Sequence, residues 1–109
     1  MKLKGLFILI FASQISYGQV SGDIIIDERA ITDSISFEIK AYEPGTLVFD
    51  ISVDINGKVT SCTWNKFEST LNSQRSAYEA KNRILMELKF EPGNGYPTNH
   101  QGKVIITSK

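Results

Sequence analysis

Alternation of apolar and polar side chains is strongest from Thr46 to Asp54, where Leu47, Phe49, Ile51 and Val53 share one parity and Val48, Asp50, Ser52 and Asp54 the other. A period of two is that of a strand with one face in the core and one in water. Asn56-Gly57 follows, a pair that tolerates positive φ in a tight hairpin, so Lys58 to Asn65 is expected to return beside the first strand. Val59, Cys62 and Trp64 supply its apolar contacts. Val59 and Cys62 have opposite parity, which a β-bulge or a partly two-sided strand reconciles.

The period then changes. Ala77, Ala80, Ile84, Leu85 and Leu88 recur at spacings of three and four and predict a helix from about Leu71–Ser73 to Lys89, its apolar stripe laid across the sheet. Ser69, Thr70, Asn72 and Ser73 are all competent N-caps. Arg75, Lys81, Arg83 and Glu87 fall largely off the stripe and are expected in solvent, with Glu79 and Arg83 paired four residues apart. Pro92-Gly93 closes the segment, since proline cannot continue a helix. Asn94 to Gln101 reads as a polar loop, and after Gly102 the alternation of Val104 and Ile106 against Lys103, Ile105 and Thr107 predicts the last strand.

Upstream the signal is weaker. Ile24-Ile25-Ile26 reads as a short buried strand, and the alternation of Ile35, Phe37, Ile39 and Ala41 with Ser36, Glu38, Lys40 and Tyr42 predicts a second N-terminal strand, ended by Pro44-Gly45. The fold class is therefore α+β: a small antiparallel sheet with a β-β-α-β core, one or two extra N-terminal strands, and one helix across a face.

The first eighteen residues have the composition of a secretory signal, with Lys2 and Lys4 ahead of the apolar run Leu6 to Ala12 and a small, polar end at Ser13 to Gly18. That run is interrupted before the span of about 20 apolar residues that a membrane helix needs. The expected organisation is a signal over 1–18, an N-terminal extension over 19–44 packed on the core, and a domain over 45–109. Export to the periplasm is the expected destination, the extracellular space the alternative. Removing Lys2 and Lys4 from twelve basic residues leaves ten against twelve acidic ones, about two net negative charges, which argues against a nucleic-acid partner. The single cysteine, Cys62, allows no internal disulfide and is expected to be a small buried apolar residue.

Chemistry is sparse. Nucleophilic catalysis wants a histidine base, and the only histidine, His100, is expected as a solvated loop residue. One His and one Cys do not make a zinc site. Asp50 and Asp54 lie four residues apart on a strand, roughly 13 Å, beyond the separations of paired-carboxylate mechanisms. Asp54-Ile55-Asn56-Gly57 lacks the remaining ligands of a calcium loop and reads as a hairpin turn. Trp64, Phe67, Tyr42, Tyr78 and Tyr96 are expected mostly in the core, Trp64 only partly buried. The reading is of a protein that is not an enzyme and needs no cofactor.

Taken in order, Gly45-Thr46-Leu47-Val48-Phe49-Asp50-Ile51-Ser52-Val53-Asp54 with Asn56-Gly57-Lys58-Val59, the helix holding Ala77 and Ala80, Phe90-Glu91-Pro92-Gly93, and Gly102-Lys103-Val104-Ile105-Ile106 resemble the C-terminal domain of TonB, the periplasmic part of an energy transducer. The chain departs from that family in having no long Pro-rich span and no clear Tyr-Pro element before the first sheet strand. The resemblance implies that the last strand offers its edge to an extended segment of an outer-membrane transporter by β-augmentation. Carried over by position, the partner-binding residues would be Lys103, Val104, Ile105, Ile106 and Thr107. The function so implied is a free-standing periplasmic protein-binding module, whose partner is an outer-membrane TonB-dependent transporter or another envelope protein. The alternative is a structural or assembly protein that homodimerises through its edge strand.

Overall fold

A computed structural model describes residues 19–109, so the signal expected over 1–18 lies outside the described residues. The elements run β1 (Val20–Ser21), α1 (Asp23–Ile26), β2 (Ile31–Asp33), β3 (Glu38–Ile39), β4 (Gly45–Val53), β5 (Val59–Asn65), α2 (Gln74–Glu87), β6 (Lys89–Phe90) and β7 (His100–Ser108). The α+β class expected from the patterning is the one observed.

The alternating segment forms β4, and one of its parities is the core face as anticipated, whereas on the other, expected in water, Val48 and Ser52 are also buried and Asp50 is half-buried. Leu47, Phe49, Ile51 and Val53 join Cys62, Val104 and Ile106 in one core beneath Ala77, Ala80, Ile84 and Leu88. The opposite face carries polar contacts instead, with Lys103 Nζ 2.8 Å from Asp50 and 3.2 Å from Glu68. At the hairpin tip, Asp54 Oδ1 accepts from Asn56 N and Lys58 N, which fixes the turn. Gly57 sits there at φ +85°, and a Cβ on it would fall 1.9 Å from Phe90 O. Only glycine fits that approach. The register between β4 and β5 shifts between Ser52 and Val53, so of the two ways to reconcile the parities of Val59 and Cys62 the irregular register is the one observed.

Helix α2 is N-capped by Ser73, whose Oγ accepts from Ser76 N at 3.2 Å. Ala77 and Ala80 are its small sheet-facing residues, and the helix lies chiefly over β5. Glu79 and Arg83 do not pair; Arg83 reaches across to the carbonyls of Ser36 and Glu38, both at 3.1 Å.

Three expectations are corrected. Ile24-Ile25-Ile26 is a helical turn, α1, rather than a strand, and it puts Ile24 against Gly102, where a Cβ would come within 2.7 Å of Ile24 Cδ1. The segment Ile35 to Ala41 keeps its alternation of half-buried and exposed residues, yet only Glu38–Ile39 pairs, parallel to β7. The last strand begins at His100, two residues before Gly102, so the polar loop is shorter than expected.

Strand order is what positions the site. The sheet runs β1-β7-β4-β5, with β3 also on β7 and a separate β2-β6 ladder beneath the hairpin tip. The last strand is therefore interior. It pairs with β4 from His100↔Val53 to Ser108↔Gly45 and is flanked on its other side by the N-terminal segment.

Candidate functional site

Hydrogen-bonding direction alternates along an antiparallel strand, so each residue of β4 turns its main-chain groups to one neighbour only. Thr46 and Val48 turn toward the β5 side, where Thr70 Oγ1 and Ser69 Oγ accept from their N–H groups at 2.8 Å. In the same phase Asp50 and Ser52 face Thr63 and Ser61. Leu47, Phe49, Ile51 and Val53 face β7 through Ile106, Val104, Gly102 and His100. The main-chain groups of Lys103, Ile105 and Thr107 thus point away from β4, and those of Cys62 and Trp64 point away from the sheet.

The two outward rows have different fates. Ile105 N donates to Gln19 O at 2.8 Å and Thr107 N to Phe37 O at 2.9 Å, so the row on β7 is already paired. The residues expected as a partner-binding edge, Lys103 to Thr107, lie under that cover: Val104 and Ile106 are buried, and Lys103, Ile105 and Thr107 are half-buried. The expectation that this strand forms the sheet's edge is not met, because residues 19–21 and the 37–39 segment take the position an added strand would use. Hydrogen bonds to Asp50 and then to Glu68 hold the Lys103 ammonium above its usual range.

Along β5 the outward row stands alone. Among the described residues, no strand pairs with the outer side of β5, and no main-chain group elsewhere bonds to Cys62 or Trp64. The Cys62 side chain points the other way, into the core, and burial pushes its thiol up to about 12. Between this edge and the first half of α2 lies a groove of about 530 Å³ lined by Trp64, Lys66, Arg75, Ala77, Tyr78 and Lys81. Trp64 is partly buried, as expected, and its Nε1 donates to Ser69 Oγ at 3.1 Å. Lys66 Nζ stands 5.0 Å over the Trp64 ring. The expectation of mostly buried aromatics is corrected here: Tyr78, Phe67 and Tyr42 are exposed.

At the hairpin end of the sheet is a second cluster that sequence reasoning missed. Arg29 is fully buried and donates from Nε to Glu91 O and from Nη2 to Asp54 O, both at 2.7 Å. Its Nη1 lies 3.1 Å from His100 Nδ1, and His100 Nε2 lies 2.7 Å from Asp27 Oδ2. A guanidinium has no acceptor, so Nδ1 must accept and Nε2 carries the proton donated to Asp27. Tyr96 covers both, 4.2 Å from the guanidinium and stacked 5.5 Å from the imidazole, and its hydrogen bond to Glu91 raises its phenol. Burial lowers the Arg29 pKa, with Tyr96, Asp54 and Glu91 opposing the shift. His100 is thus a buried strand residue rather than the solvated loop residue expected.

The Asp-His pair has the outline of two thirds of a catalytic triad. Both ring nitrogens are committed, and the thiol of Cys62 belongs to the core on the other side of β4. What the cluster does mechanically is clear: it ties α1 and the N-terminal segment to the hairpin, the Glu91–Tyr96 loop and the start of β7. Among the described residues there is no group of three or more metal-ligating side chains, and no helix long and apolar enough to cross a membrane. Comparison with protein-family models, with curated proteins and with solved structures finds no match.

Proposed function

We propose that the protein is a non-enzymatic binding module of the cell envelope, TonB-like in its order of elements, which takes an extended segment of a partner protein into its sheet by strand addition. The observation that carries this reading is the unpaired main-chain row at Cys62 and Trp64, beside a groove, on an otherwise well-paired sheet. Open strand edges are templates for pairing, and proteins that do not use them usually cover them. Among the described residues the outer side of β7 is covered and that of β5 is bare.

The partner is a segment of an outer-membrane TonB-dependent transporter or of another envelope protein, and the protein acts in the periplasm. Pairing at Lys103 to Thr107 first requires displacement of residues 19–21 and 37–39, whereas pairing at β5 requires no displacement. Photo-crosslinking in the envelope separates the two routes. A photoreactive residue at Thr63 on β5 is expected to capture an extended segment of a transporter; capture from Thr107 alone would place the partner on β7 with its cover displaced. Absence of any product from both positions contradicts strand addition. Homodimerisation through the same bare edge is the second reading, and a monomer by sedimentation at micromolar concentration would remove it.

A further inference from the structure

Three features of the β5 edge coincide. Its free main-chain groups belong to Cys62 and Trp64, whose side chains point toward the helix side of the sheet. A strand added there would place every second side chain on that same side, over the groove walled by Ala77 and Tyr78. The groove also carries Lys66, Arg75 and Lys81, and no acidic side chain lines it. Among the described residues none of these three cations makes an ion pair, whereas Lys103 and Lys109 do. Three unpaired cations on one groove run against the acidic balance of residues 19–109.

From this juxtaposition we propose that the β5 groove selects an extended segment bearing acidic side chains at alternate positions, its backbone pairing with Cys62 and Trp64 and its carboxylates meeting Lys66, Arg75 and Lys81. The inference rests on the strand-addition reading and adds to it the edge used and the chemistry of the partner. Backbone pairing supplies register without regard to sequence, while the cations suppress partners of the wrong charge. Trp64 and Tyr78 offer the flat apolar surface against which the aliphatic part of a glutamate or a neighbouring valine packs.

Two synthetic peptides of about ten residues test it, one alternating valine with glutamate and one alternating valine with lysine, each titrated into the isotopically labelled full chain at about 0.15 M salt. Amide hydrogen exchange is followed at Cys62, Trp64, Ile105 and Thr107. The glutamate peptide is expected to slow exchange at Cys62 and Trp64 by about tenfold or more and to bind about tenfold more tightly than the lysine peptide. The double substitution R75E/K81E should reverse that preference, with unchanged β7 exchange showing that the fold is intact.

Equal protection by both peptides would overturn the charge selection and leave strand addition standing. Protection only at Ile105 and Thr107 would overturn the choice of edge. Side-chain perturbation of the three cations without amide protection would reduce the groove to an electrostatic surface, which overturns the proposal. Protection of Cys62 and Trp64 that precedes peptide and grows with protein concentration would assign the edge to a second copy. Neither peptide altering exchange anywhere would count against strand addition itself as well as against this inference.

Discussion

The two long sides of the sheet are treated in opposite ways by the same chain. Beyond β7 the segment 19–39 is laid down as a cover: Gln19 and Phe37 accept from Ile105 and Thr107, Arg83 grips the carbonyls of Ser36 and Glu38, and Ile24 packs against Gly102. Beyond β5 nothing comparable is built among the described residues, although the groove and its cations lie alongside. Main-chain donors and acceptors are equally reactive on both sides, so the difference lies in what the sequence supplies to meet them. Covering β7 with two-residue strands removes one route to uncontrolled pairing, while the seven-residue β5 keeps an open side among the described residues.

The comparison breaks most severely at Arg29, which pins the cover to the rest of the domain. Arg29→Leu leaves the carbonyls of Asp54 and Glu91 and the Nδ1 of His100 without their donor, and a loss of about 3–5 kcal/mol is expected in urea denaturation. Exchange at Ile105 and Thr107 should rise first, since the cover is the part released. On the open side the most damaging change is Gly57→Ala. Its side chain would meet Phe90 O at a backbone φ of +85°, and about 2–4 kcal/mol should be lost with the hairpin that presents β5.

Much of the open side is legible in the sequence because its determinants are local. The β4 alternation, Asn56-Gly57 and the α2 stripe each act within one element or one turn, so periodicity alone places them. The covered side is not legible for the opposite reason. A run of three isoleucines does not distinguish a buried strand from a helical turn, and Gly22 at φ +93° starts the latter. Arg29 and His100 are 71 residues apart, and no local pattern announces that one of three arginines and the single histidine will bury each other. Strand order is likewise a long-range property: the pattern of the last strand suits the inside of a sheet or its edge, the edge is what the resemblance implied, and the strand is found inside. The candidate groove was legible only in parts: Trp64, Tyr78, Arg75 and Lys81 are conspicuous, but which of them share a surface depends on how α2 crosses β5.

A finer difference concerns Cys62, whose backbone faces the open edge while its thiol faces the core. Its folded pKa is raised from 9.0 to about 12. The unfolded chain therefore releases this proton first, and stability should fall as pH rises from 9 toward 12, with a slope of up to about 1.4 kcal/mol per pH unit. Cys62→Ala should flatten this part of the pH profile relative to the parent chain. Smallest of all is Lys103, whose pairs with Asp50 and Glu68 lie on the solvent face. Its folded pKa is raised above 10.5, so its contribution is present below that pH and fades above it. Lys103→Met should cost less than about 1 kcal/mol and leave the order of exchange along the two edges unchanged.

The most direct test of an unequally covered sheet is residue-resolved hydrogen exchange on the free protein. The amides of Ile105 and Thr107 should be protected at least about a hundredfold more than those of Cys62 and Trp64, because the former are donated to Gln19 and Phe37 and the latter to solvent. Exchange at Ile105 and Thr107 as fast as at Cys62 and Trp64 would contradict the account, since the N-terminal cover would then not hold the edge it is built upon.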